Sequence, residues 1–161
     1  MAENGIPEPA PATRALLSAY LQAAYVARLD GTWLPLRIGQ PAPAALERAL
    51  PGGWRTLVTA WNPRSVPRDE ARNRRADLRL QADLDALQAP RLPACGGDAS
   101  GHWREEGWLA AGLGPAQADA LARRHGQAAI LHWRAGEAVR LRMYLPRPAE
   151  GDLGFVDWAE G

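Results

Sequence analysis

The segment that most constrains this chain runs from Trp54 to Trp61 and reads Trp-Arg-Thr-Leu-Val-Thr-Ala-Trp. Its apolar residues fall at adjacent positions, Leu57 beside Val58 and Ala60 beside Trp61, not at every second one. Successive side chains of a strand point to opposite faces, so this strand needs cover on both sides and belongs in the middle of a packed sheet. The rest of the chain has to be arranged around it.

The segments downstream supply that cover. A helix is predicted from Pro67, a residue suited to a first helical position, with Asp69 and Glu70 complementing the dipole of its first turn. Asn73, Ala76, Leu80, Leu84 and Leu87 fall on one stripe,, and Pro90 ends the helix. A short strand is predicted over Leu92 to Cys95, a Gly-rich loop to about Arg104, and a second strand over Gly107 to Gly112. Pro115 opens another helix that buries Ala118, Leu121, Ala122 and His125, with Gly126 as its left-handed cap. Gln127 to Trp133 is again a buried strand. The order β-α-β-β-α-β from Trp54 to Trp133 is that of the ferredoxin-like split βαβ unit; an α+β sheet with another strand order is the alternative.

Ahead of this core, Thr13 is expected to cap a helix running to about Gln22. Asp30-Gly31 forms a type I′ turn pair between Tyr25–Leu29 and Thr32–Ile38, and Pro35 marks the second of these strands as an edge. Ala44 to Leu50 is a short helix. Beyond the core, Glu137–Leu145 alternates as a half-exposed strand. The expected fold is therefore α+β: a mostly antiparallel sheet, a ferredoxin-like core, an N-terminal helix and hairpin, and an added C-terminal strand. Residues 1–12 read as a disordered Pro-rich tail, 13–145 as one domain, and 146–161 as an acidic tail that Phe155 and Trp158 can dock.

Composition sets limits on function. The chain has 161 residues, 47% hydrophobic and 23% charged, which suits one domain with a real core. Its 19 basic residues are all arginine and face 18 acidic ones, so no global field draws in nucleic acid or a membrane. The exclusive use of arginine, with abundant Ala, Pro and Gly, points to a GC-rich bacterial genome. One cysteine, Cys95, excludes an intrachain disulfide and a cysteine-based zinc site. There is no apolar leader and no tract long enough to span a bilayer, so the expected location is cytoplasmic.

In a ferredoxin-like sheet, the loops Asn62–Val66, Gly96–Glu106 and His125–Gln127 fall at one end. That end gathers Asn62, Ser65, Asn73, His102, Trp103, Glu105, His125 and Gln127, a set able to hold a polar ligand by hydrogen bonds and stacking. Asn62, Ser65, Asn73, Trp103, Glu105 and Gln127 are the candidate ligand-binding residues. The bland reading is a network that knits loops together, with Asn62 in a turn before Pro63. Ser65 lacks a G-x-S-x-G elbow, and Cys95 suits a small buried position better than a reactive one. His102, His125 and Glu105 have ligand types for zinc but no metal spacing, and no cofactor motif is present.

The run Leu57-Val58-Thr59-Ala60-Trp61-Asn62-Pro63, with Ser65 and then Asn73, resembles the bacterial domain of unknown function 3293. Trp103, Glu105, Gly112, Ala120-Leu121-Ala122 and Gly126-Gln127 agree in kind, over roughly residues 20 to 135. The resemblance implies a small bacterial protein without assigned chemistry, and brings no functional residues with it.

Three functions are expected from these features. The first is a module that binds a small polar ligand or a protein partner at the Asn62/Asn73/Gln127 end. The second is a small hydrolase-type enzyme using Glu105, His102 and Ser65. The third is nucleic-acid binding through Arg68, Arg72, Arg75 and Arg79.

Overall fold

A computed structural model describes residues 10–149 and 153–159. It is an α+β structure in the order α1 (Ala10–Gln22), β1 (Ala24–Leu29), β2 (Thr32–Leu36), α2 (Ala44–Ala49), β3 (Trp54–Thr59), a 3-10 turn (Pro63–Ser65), α3 (Glu70–Ala86), β4 (Arg91–Gly97), β5 (Arg104–Ala111), α4 (Pro115–Arg124), β6 (Ala129–Arg134), β7 (Leu141–Met143) and β8 (Val156–Trp158). The expected tail at 1–12 lies outside the described residues up to residue 9.

All eight strands form one sheet in the order β2-β1-β4-β5-β3-β6-β7-β8. Every pairing is antiparallel except β7 with β8. The sheet curls, and the chain leaving β2 returns to the β7 side through Ile38 against Val139 and Pro41 against Ala138. β3 lies between β5 and β6, as its two apolar faces demand, and the Pro35 strand is an edge. Asp30 and Gly31 both have positive φ, 48° and 81°, the signature of a type I′ turn.

Two cores occupy the two sides of the sheet. On one, Val58, Ala110 and Ile130 meet Ala76, Leu80 and Leu84 of α3 and Leu121 and Ala122 of α4. On the other, Leu57, Leu109 and Leu131 meet Leu17 of α1 and Leu46 of α2. The neighbours Leu57/Val58 and Ile130/Leu131 thus divide between the cores, each fully buried side chain contributing about 1.5–3 kcal/mol. α1 and α2 cover the face that α3 and α4 leave open.

Several boundaries depart from the sequence reading for local reasons. α3 starts at Glu70, not Pro67, because the Asp69 carboxylate accepts the Arg72 N–H at 2.9 Å and caps the helix there,. Leu87, expected on the buried stripe, caps the far end and is exposed. β3 stops at Thr59, whose hydroxyl donates to the Glu106 carbonyl and accepts the Trp61 N–H. β4 is longer than expected because β1 and β5 pair with it on both edges. Thr13 lies inside α1, where it was expected to begin the helix. The tail docks as β8, and Phe155 packs against Gly39. Among the described residues no helix is long and apolar enough to cross a membrane.

Candidate functional site

The candidate site is built on the strand-to-turn junction after β3. Asn62, Arg64 and Ser65 have φ of 46°, 57° and 59°. Asparagine tolerates the left-handed region; arginine and serine adopt it at a cost of about 1–2 kcal/mol each. Strain concentrated in so short a segment is characteristic of functional turns. Gly126 pins this one from behind, accepting the Arg64 N–H at 2.7 Å. At φ 65° it has no room for a side chain, since a Cβ would lie 2.9 Å from the Pro63 Cβ.

The turn presents Asn62 and Ser65 to a narrow pocket on the α1 side of the sheet, with a cavity of about 40 Å³. That is room for a few waters or one small polar group. Asn62, Ser65, Trp103, Glu105 and Gln127 all line it, joined by Tyr20 of α1 and Tyr25 of β1. Glu105, Leu109 and Ala111 follow strand alternation onto this face, while Glu106 turns to the other side, where Arg74 lies 3.9 Å away. Five of the six candidate residues therefore meet, although they span residues 62 to 127.

Asn73 does not line the pocket. It sits on α3, across the sheet, and holds the turn: its Oδ1 accepts the Asn62 N–H at 2.9 Å and its Nδ2 donates to Asn62 Oδ1 at 3.0 Å. Asn62 in turn donates to Glu105 Oε1 at 3.1 Å. Asn73 thus ties the turn to α3. Gln127, which lines the pocket, gives its Nε2 hydrogens to the carbonyls of Trp61 and His125. Ser65 hydrogen-bonds the Tyr20 hydroxyl.

Among the described residues Glu105 carries the only carboxyl group lining the pocket, and it is 9% exposed. Burial pushes that carboxyl up to about 7, against the opposing pull of hydrogen bonds from Asn62 and Trp103,. Burial also raises the Tyr20 and Tyr25 hydroxyls, so both stay neutral donors. Among the described residues no arginine or histidine lines the cavity.

The two histidines expected at this end are elsewhere. His102 is exposed in the loop before β5 and bonds Ser100 at 2.7 Å. His125 ends α4 on the opposite face, where Asp83 holds it at 2.7 Å. Glu105, His102 and Ser65 therefore do not assemble as one constellation. Among the described residues no cluster of three or more His, Cys, Asp or Glu side chains could hold a metal. Cys95 is buried, and burial raises its thiol.

The arginine stripe also divides. Arg68 precedes the helix and turns inward to Asn73 Oδ1 at 3.2 Å. Arg72 pairs with Asp69 and Arg75 with the Ala71 carbonyl. Arg79 lines a groove on the α3/α4 side. Tyr20 and Tyr25 were missed as site residues because the sequence places them only on a helix stripe and a strand. The one available signal was a hydroxyl among leucines, which needs a partner when buried.

Fold and pocket together define an α+β protein with a small, largely apolar pocket that holds a few polar side chains beside the N-terminal helix. Residues 58–130 match the family described as Protein of unknown function (DUF3293). The resemblance carried by the Thr59–Ser65 motif is thereby shown over that segment. No curated protein and no solved structure matches the chain.

Proposed function

We propose that the protein is a cytoplasmic binding module whose pocket beneath α1 recognises a small polar ligand through a hydrogen-bond donor offered to Glu105. The observation that carries this reading is a carboxyl buried in a cavity whose other polar side chains among the described residues, from Tyr20, Tyr25, Thr59, Asn62, Ser65, Trp103 and Gln127, are all neutral. A buried carboxyl in a cleft whose pKa is raised by desolvation is a functional-site candidate on physical grounds,. The trimmed polar set, the strained turn and the aromatic walls support recognition of a small group by hydrogen bonds and stacking. We also read the β3-α3-β4-β5-α4-β6 unit as ferredoxin-like, on the support of its strand order and of α3 and α4 sharing one face.

General acid–base chemistry by Glu105 is the second reading, favoured by the same raised pKa,. Hydrolysis through Glu105, His102 and Ser65 loses support, since His102 is outside the pocket.

The test is a thermal-shift screen of the purified chain against small amines, amides and hydroxylated metabolites. A ligand at about 100 times its dissociation constant adds about 2.7 kcal/mol. A hit lost in Glu105→Gln, with the fold intact, supports the reading. A screen with no hit, or hits indifferent to Glu105→Gln, would sink it.

A further inference from the structure

The turn that builds the pocket has a second side. Asn62 and Ser65 line the pocket beneath α1, whereas Pro63 and Arg64 line a groove of about 620 Å³ on the α3/α4 side. Five arginines border that groove: Arg64 and Arg68 from the turn and its exit, Arg79 from α3, and Arg123 and Arg124 from the last turn of α4. Its one carboxylate among the described residues, Asp83, is already engaged by Arg124 at 3.3 Å and His125 at 2.7 Å. Five of the chain's nineteen basic residues thus meet one of its eighteen acidic ones; the remaining fourteen and seventeen leave the rest of the protein net acidic. Near-zero total charge conceals a sharply basic groove.

We propose that this groove binds a compact, multiply charged phosphate group such as the di- or triphosphate of a small molecule. Three observations select that occupant. Guanidinium forks match phosphate oxygens two at a time, and arginines on three separate elements suit an anion that reaches all of them. The floor is small and apolar, formed by Ala60, Ala76 and Gly126, which lets an anion approach the walls. Among the described residues no Phe, Tyr or Trp lines the groove, and its one imidazole, His125, is held by Asp83 at 2.7 Å, so it lacks the row of stacking platforms of single-stranded nucleic-acid sites. Arg68 is held in place by Asn73 and by the Ala60 carbonyl at 3.5 Å. Arg64 and Arg79 have no side-chain partner among the described residues, and both are exposed, so they are the groups left to close on a ligand.

Isothermal titration calorimetry of the full chain with tripolyphosphate tests this. Saturable binding is expected, weakening as salt rises because exposed charges are screened. Arg64→Ala with Arg79→Ala should weaken it by about tenfold or more, the loss of charge-assisted bonds worth at least about 1.4 kcal/mol, without altering the melting temperature. Arg79→Lys should recover part of the loss. Arg72→Glu with Arg75→Glu, on the same helix but outside the groove, should leave binding unchanged. Absence of saturable binding overturns the proposal, as does equal loss in the outside variant. Tight binding of a single-stranded oligonucleotide that tripolyphosphate cannot displace overturns it in favour of a nucleic-acid surface.

Discussion

Asn62 and Asn73 grip each other through two reciprocal hydrogen bonds, the Asn62 N–H to Asn73 Oδ1 at 2.9 Å and Asn73 Nδ2 to Asn62 Oδ1 at 3.0 Å. The pair crosses the layer boundary, since Asn73 belongs to α3 and Asn62 faces the pocket under α1. It fixes the left-handed turn and aims the Asn62 amide at Glu105. Asn73→Ala leaves a buried backbone N–H without a partner. We expect a loss of about 1–3 kcal/mol, read as a lower urea midpoint at unchanged slope.

Glu105 makes stability depend on pH. Its folded pKa, about 7, lies above its ordinary value of 4.5. Between these values the folded state holds a proton that the unfolded state releases, so stability falls as pH rises through the window and levels off above it. The full difference amounts to about 3 kcal/mol. Glu105→Gln abolishes the loss: unfolding curves of the two proteins should nearly coincide near pH 4.5, separate as pH rises toward about 7 and keep a constant gap above it,, with the glutamine variant more stable. Parallel curves across this range would contradict the assignment.

The same titration governs the proposed ligand. A donor bound to the carboxylate favours the ionised form. Affinity for a ligand that does not itself titrate should therefore rise by almost tenfold per pH unit below about 7 and flatten above it,. Affinity that falls with rising pH would show that the neutral acid is the bound form.

Tyr20→Phe removes the hydroxyl that bonds Ser65 while keeping the ring that packs α1 on the sheet. The expected cost is about 0.5–1.5 kcal/mol, too little to unfold the domain. Hydrogen exchange should quicken selectively in α1 and the Asn62–Ser65 turn, the two segments this bond joins. Uniform change across the protein would argue that the bond has no local role.

Gly126→Ala combines a strained backbone with a 2.9 Å approach to the Pro63 Cβ. The left-handed conformation alone costs about 1–2 kcal/mol, and displacement of the turn adds to it. The melting temperature should drop, and the ligand identified for the Glu105 pocket should bind more weakly, because the same turn carries Asn62 and Ser65. A melting temperature equal to that of the parent would refute the pinning role.

By itself the sequence determined the local elements and which faces they bury. Strand period 2, helical period 3.6 and the turn chemistry of Asp30-Gly31 are short-range properties, legible in Leu57/Val58 and in the Ala76-Leu80-Leu84 stripe. It also offered Asn62, Ser65, Trp103, Glu105 and Gln127 as candidates, and these five line one pocket. Tertiary structure alone decided how they are used. Tyr20 meets Ser65 across 45 residues, a docking of α1 that no local period encodes. His102 and His125 left the site because loop direction and helix packing, not sequence distance, set where a side chain ends. Arg64 and Arg124 came together because two helices happen to pack on one side of the sheet. Periodicity fixes how a segment presents its faces, whereas the partner of each face is set by the one packing that buries them all.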